Sequence, residues 1–157
     1  MFNHEPSAAL RAAVRDGVAR AIAVIGLGGM ALIHLLDLPA QFDGTPYLGW
    51  MYIGLIVSSV TLAGLLIGGS GHRTWRAAGV LALAVLVGYV LSRTTGLPQA
   101  TDDIGNWGEP LGIASLFVEA SLVGLTVGVL AGRRRPRHSP ALRPRGPTSD
   151  AFATLTS

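Results

Sequence analysis

Long apolar runs alternate with short polar connections along this chain. The runs cover residues 18–38, 48–69, 75–92 and 111–131. At about 1.5 Å rise per residue each reaches across a hydrocarbon core of about 30 Å. In such surroundings every backbone N–H and C=O must find its partner within the segment, which favours helices. A closed barrel needs strands of about ten residues that alternate apolar and polar positions, and the runs do not alternate. The pattern predicts an all-α, four-helix transmembrane bundle, preceded by an N-terminal segment over 1–17 whose first nine residues are polar and followed by a disordered Arg/Pro-rich tail over 132–157.

Local signals punctuate the helix ends. The third run closes on Arg93-Thr94-Thr95-Gly96-Leu97-Pro98, where Arg93 complements the negative helix terminus, Gly96 suits a left-handed cap and Pro98 prevents continuation. The fourth opens on Asn106-Trp107-Gly108-Glu109-Pro110, with Asn106 or Glu109 as N-cap and Pro110 in the first turn. Tyr47, Trp50, Tyr52 and Trp107 fall near one set of ends and Trp75 near the other, positions that suit aromatic rings at a membrane interface.

Charge orients the bundle. All 12 basic residues are Arg, and every one except Arg93 lies in the N-terminal segment, the 70–74 connection and its flank, or the tail. The other two connections, 39–47 and 93–110, carry Asp43, Asp102, Asp103 and Glu109. The positive-inside rule then places both termini in the cytoplasm of a bacterial plasma membrane, and an even number of crossings agrees. The first run is not expected to be a cleaved signal, because its basic flank is long and no A-x-A site follows. Arg133 to Arg137, beside the last helix, form a stop-transfer anchor for anionic headgroups at about 1 kcal/mol per Arg.

Composition narrows the choice further. With 50% hydrophobic and 13% charged residues and a positive mean hydropathy, the chain has too little polar surface for a soluble globule. The net charge of +3 flanks membrane runs instead of forming a basic stripe, so no nucleic-acid partner is expected. The absence of cysteine excludes disulfides, thiolate metal sites and thiol catalysis.

Few residues carry chemistry. Glu119 and His34 are ionisable groups inside the apolar runs, where such side chains face the bundle interior and find partners. His34 is the natural partner for Glu119; Ser115 shares a helix face with Glu119, and Asp37 shares one with His34. Ser58, Ser59 and Thr61 give the second run a polar patch. One reading is a structural pair that locks helix register; the other is a site that handles protons or cations. The ligand set is too small for zinc, and His4, His72 and His138 lie at the wrong end for a haem, so neither metal nor cofactor is expected. The outer charges Arg93, Asp102, Asp103 and Glu109 read as a solvated loop, or as a mouth that concentrates cations. The spacings Gly64/Gly68 and Gly124/Gly128 suit close helix packing inside the bundle, with a homodimer face as the alternative. No P-loop, nucleophile elbow or HExxH pattern is present, so no catalytic residues are assigned.

The run Leu91-Ser92-Arg93-Thr94-Thr95-Gly96-Leu97-Pro98, followed by Asn106-Trp107-Gly108-Glu109-Pro110-Leu111-Gly112 and Glu119, resembles a pattern in uncharacterised four-helix integral membrane proteins of GC-rich actinobacteria. It covers the third and fourth helices and their loop. The resemblance implies a fold and a location and adds no chemistry. The sequence therefore leads to a non-enzymatic membrane protein, such as an accessory subunit whose partners are the bilayer and another membrane protein or a second copy. The competing reading is a small oligomeric proton or cation transporter that uses Glu119 and His34.

Because the native chain has no cysteine, single thiols report topology cleanly. A maleimide that cannot cross the membrane is expected to label Thr101→Cys on intact cells and Ser139→Cys only after permeabilisation. The opposite pattern overturns the orientation.

Overall fold

A computed structural model gives the architecture, and the structure describes residues 7–69 and 71–134. It contains four helices, α1 (Ala8–Gly44), α2 (Pro46–Ile67), α3 (His72–Thr94) and α4 (Pro110–Arg134). Among the described residues the sole β feature is an isolated bridge between Leu97 and Ala100. All four helices are long and apolar enough to cross a membrane, which is compatible with a multi-pass membrane protein. Residues 1–6 of the expected N-terminal segment and 135–157 of the expected tail lie outside the described residues.

The helices outgrow the apolar runs, and α1 does so most. It begins ten residues before the run, where Ser7 accepts a bond from the Leu10 N–H at 3.3 Å as N-cap. The stretch that follows is rich in Ala, Leu and Arg, all strong helix formers, so it needs no lipid to be helical. At the other end Pro39 lies inside the helix instead of ending it. Its ring costs the Leu35 carbonyl one donor, but α1 continues to Gly44. A single residue, Thr45 (φ −140°, ψ 87°), then separates α1 from α2, and Pro46 starts α2 at a position where a missing N–H costs nothing. Phe42 lies over Gly49 across this turn, where a Cβ would meet the ring at 2.8 Å.

Cross-contacts set an antiparallel register. Ser59 Oγ reaches Met30 Sδ at 3.5 Å between α2 and α1. Gly26 faces Leu122, and Gly29 faces Val118, between α1 and α4. Gly79 faces Thr126, and Gly112 faces Tyr89, between α3 and α4. Each helix packs on its sequence neighbours and α4 closes the ring against α1. This order gathers the α1–α2 and α3–α4 connections at one end, the connection end, and the chain termini at the other, the termini end. Arg11, Arg15, Arg20, Arg73 and Arg76 belong to the termini end by their place in the chain, whereas Asp43, Asp102, Asp103 and Glu109 belong to the connection end.

The dense core occupies the termini half: Ala23, Leu27, Met30, Leu66, Trp75, Ala78, Ala82 and Leu122. Trp75 is 0% exposed there, so it serves as a core side chain and not as an interface anchor. It shares the buried cluster with Ala78 and Ala82 of its own helix. At the same end the Arg20 Nη1 donates at 3.2 Å to the Leu66 carbonyl, which also accepts from the Gly69 N–H at 3.2 Å, while Arg20 Nε pairs with Asp16 at 2.8 Å. The outer surface is apolar on every helix: Ile25, Ile67, Val80 and Phe117 are each 67–73% exposed. Lipid solvates such faces at no cost, but it also provides no drive for helices to associate, so close packing has to hold them.

Glycine delivers that packing at positions other than the expected pairs. A methyl group placed on Gly64, Gly124 or Gly128 would have nothing within 4 Å, and one on Gly68 would meet carbonyls of its own helix alone. The close approaches fall instead at Gly26, Gly49, Gly79 and Gly112. A Cβ at Gly79 would lie 2.7 Å from Thr126 Oγ1 and 3.2 Å from its Cβ. In a detergent unfolding titration Gly79→Ala is expected to lose about 1–3 kcal/mol through overpacking. Gly128→Ala should lose nothing and gain up to about 1 kcal/mol from helix propensity; equal losses in the two variants would contradict this packing.

Candidate functional site

The connection half of the bundle is hollow. A cavity of about 570 Å³ is bounded by all four helices and by Leu97, Ala100 and Asp103 of the α3–α4 connection. Ile33, Leu48, Leu55, Leu81, Val85 and Leu111 give it apolar walls, and His34, Asp37, Tyr52, Tyr89, Arg93, Glu109 and Ser115 bring polar atoms to it. The size falls in the range of small-molecule sites.

On the α1–α2 side the centre is Asp37. Its Oδ2 accepts from Gln41 Nε2 at 2.9 Å, one turn along the same helix, and from the Tyr52 hydroxyl at 3.2 Å. Both donors are neutral. Tyr52 also holds the ring of His34 edge-on, with centroids 4.7 Å apart. His34 is 6% exposed, and its Nδ1 lies 2.9 Å from the Met30 carbonyl. Because a carbonyl only accepts, Nδ1 carries the proton and donates, leaving Nε2 as an acceptor.

On the α3–α4 side the centre is Arg93. The guanidinium is 5% exposed and pairs with both Asp103 and Glu109, while its Cζ lies 5.0 Å above the ring of Tyr89. The planar fork can serve two carboxylates and a ring face at once. The Arg93 carbonyl accepts from the Gly105 N–H at 2.9 Å, so backbone and side chain both draw the connection back over the bundle. Gly96 (φ 77°) and Gly105 (φ 79°) make the left-handed bends this path needs. From the other connection, the Tyr47 hydroxyl donates to the Pro98 carbonyl at 2.7 Å and Thr45 Oγ1 to the Gln99 carbonyl at 3.4 Å.

Glu119 stands one turn deeper on α4 than Ser115, toward the core. It is 0% exposed. Its Oε1 accepts from the Ser115 hydroxyl, and its Oε2 has no hydrogen-bond partner among the described residues. Ser115 lines the cavity and so stands between the carboxyl group and the open space.

The structure thus brings His34, Asp37, Ser115, Arg93, Asp103 and Glu109 to one cavity, with Glu119 directly behind it. The hydrogen bond expected between His34 and Glu119 is not made: His34 bonds to Met30, and Glu119 to Ser115. Arg93 does more than face the end of α3, since it is buried beneath the loop it organises. Glu109 precedes α4 as an N-cap does, its carbonyl accepting from Ile113 at 3.0 Å, but its carboxylate goes to Arg93. Asp102 is exposed. Of the expected polar patch on α2, Ser58 and Thr61 bond to carbonyls of their own helix at 2.7 Å; Ser58 also lines the cavity, and Ser59 is buried in the interior. Sequence reasoning did not single out Gln41, Tyr52 or Tyr89 for the site. Gln41 had a usable signal, being four residues from Asp37; Tyr52 read as an interface aromatic, and nothing in the sequence set Tyr89 apart.

Among the described residues no group of three His, Asp or Glu side chains is placed to hold a metal ion. No protein-family model, curated protein or solved structure matches the chain.

Arg93→Gln removes the fork and keeps the apolar part of the stem. Hydrogen bonds to charged groups contribute about 1.5–3 kcal/mol each, so deuterium uptake over 95–109 is expected to accelerate by about tenfold or more, while α1 and α2 stay protected. Unchanged protection of this connection would show that Arg93 does not hold it.

Proposed function

We propose that this protein is a non-enzymatic, multi-pass protein of a bacterial plasma membrane, with cytoplasmic termini, that takes up a small cation or a proton through its cavity. One observation carries this reading: Glu119 is wholly buried, with one carboxyl oxygen unpartnered, behind a cavity-lining hydroxyl. A lone carboxyl group in apolar surroundings is stable when a proton or a cation neutralises it. Ser115 provides a hydroxyl that both donates and accepts, as a relay between cavity and carboxyl requires. The His34 imidazole adds a second polar group to the same lining.

The distribution of arginine supports the orientation, because the acidic connections and the cavity then share the outer side. An acidic mouth on that side raises the local concentration of cations. Four helices enclose little volume for transport by one chain, and the open Gly124 and Gly128 face of α4 would suit a second copy or another membrane protein.

Proteoliposomes test the reading. Wild type should dissipate an imposed proton or alkali-cation gradient, and Glu119→Gln, which keeps an oxygen for Ser115, should lose at least about 90% of that flux with an unchanged melting temperature. Equal flux in both proteins, or none in wild type, counts against it.

A further inference from the structure

The charges and walls of the cavity select among cations, and the selection rests on the reading of this cavity as the functional site. We propose that it binds an organic cation with an apolar body, the positive centre lying beside Asp37 and Tyr52.

Charge sets the sign. The lining brings three carboxylates, Asp37, Asp103 and Glu109, and one guanidinium, Arg93. Arg93 is paired with both Asp103 and Glu109, so its single positive charge is already outweighed and attracts no anionic ligand. Asp37 has the opposite situation: its donors, Gln41 and Tyr52, are neutral, and no Arg among the described residues forms an ion pair with it. A cleft focuses such a field on incoming cations.

The walls decide what kind of cation. A hard divalent ion wants six or more oxygens around it, and among the described residues no group of three His, Asp or Glu side chains is placed to hold a metal ion. The cavity instead offers aromatic faces beside apolar side chains. Its own structure shows that these faces accept a soft cation, because the Arg93 guanidinium already lies 5.0 Å above Tyr89. Tyr52 stands in the matching place at the other carboxylate, held there by its bond to Asp37. An ammonium or phosphonium centre at Asp37 would gain the Coulomb attraction and a ring contact together. Leu55, Leu81 and Val85 would then enclose its apolar part.

The test compares two ions of one shape and opposite charge, tetraphenylphosphonium and tetraphenylborate, by equilibrium dialysis against the full chain in lipid nanodiscs. The phosphonium should bind saturably at one site per chain, and the borate should show only the non-saturable partition of empty discs. Asp37→Asn should weaken phosphonium binding by about tenfold or more. Gly88→Phe should abolish it, because Gly88 lines the cavity and has nothing within 4 Å to clash with. Saturable borate binding, wild-type affinity in Asp37→Asn, or no saturable phosphonium binding overturns the proposal. If Asp37→Asn fails to fold, the ion pair and Gly88→Phe still decide. Absent phosphonium binding beside a Glu119-dependent flux sinks the organic-cation inference alone, whereas a folded Gly88→Phe that keeps both binding and flux sinks the cavity reading beneath it.

Discussion

A polar group that leaves water must bring its partner along, and the arrangement of this bundle follows from that requirement. Backbone groups meet it by forming helices, which satisfy every interior donor and acceptor within one segment. Small hydroxyls meet it locally: Ser58, at the cavity, and Thr61 turn back onto carbonyls of their own helix. Groups too large or too charged for that solution cannot face lipid, so they collect on the inside. Arg93 takes two carboxylates, Asp37 takes an amide and a phenol, and Glu119 takes a serine.

That collection divides the molecule. At the termini end the facing side chains are apolar and small, so Trp75, Leu66 and Leu122 interdigitate with alanines into a dry core. At the connection end the polar groups stand apart from one another, and a cavity of about 570 Å³ remains between them. A void forfeits dispersion contacts, and little hydrophobic drive exists in lipid to offset the loss. The hollow half is held chiefly by its polar ties: Arg93 to the α3–α4 connection, Tyr47 and Thr45 from the α1–α2 turn to the same connection, and Tyr52 to α1. The ties that stabilise this end are therefore also the groups that give the cavity its chemistry.

The carboxyl groups fall into distinct settings for the same reason. Asp103 and Glu109 are satisfied by a cation of the protein itself, Asp37 by neutral donors, and Glu119 by one donor on one oxygen. Only the last two leave electrostatic work for something outside the chain. Both lie at or immediately behind the cavity, which is why the functional reading centres on them and not on the more conspicuous acidic loop.

How much of this was legible in the sequence depends on how far each feature reaches along the chain. The four crossings, the all-α class and the left-handed bend at Gly96 were readable, because apolar length and the preferences of glycine act on consecutive residues. The i,i+4 pairing of Ser115 with Glu119 was readable for the same reason, as a property of one helix. The ends of α1 were misjudged since lipid solvation and helix formation are separate conditions: residues 8–17 carry Arg11, Arg15 and Asp16 yet are helical, and Pro39 weakens a long helix without ending it. Which glycines pack, that Trp75 is core and not interface, and that Arg93 turns inward to two carboxylates were decided only in three dimensions. A spacing such as Gly124/Gly128 fixes a stripe on a helix but not the azimuth at which that helix meets its neighbours. Rotation and register of the four helices are set by all their contacts jointly, and the cavity, being the space those contacts leave unfilled, exists at no level below the assembled bundle.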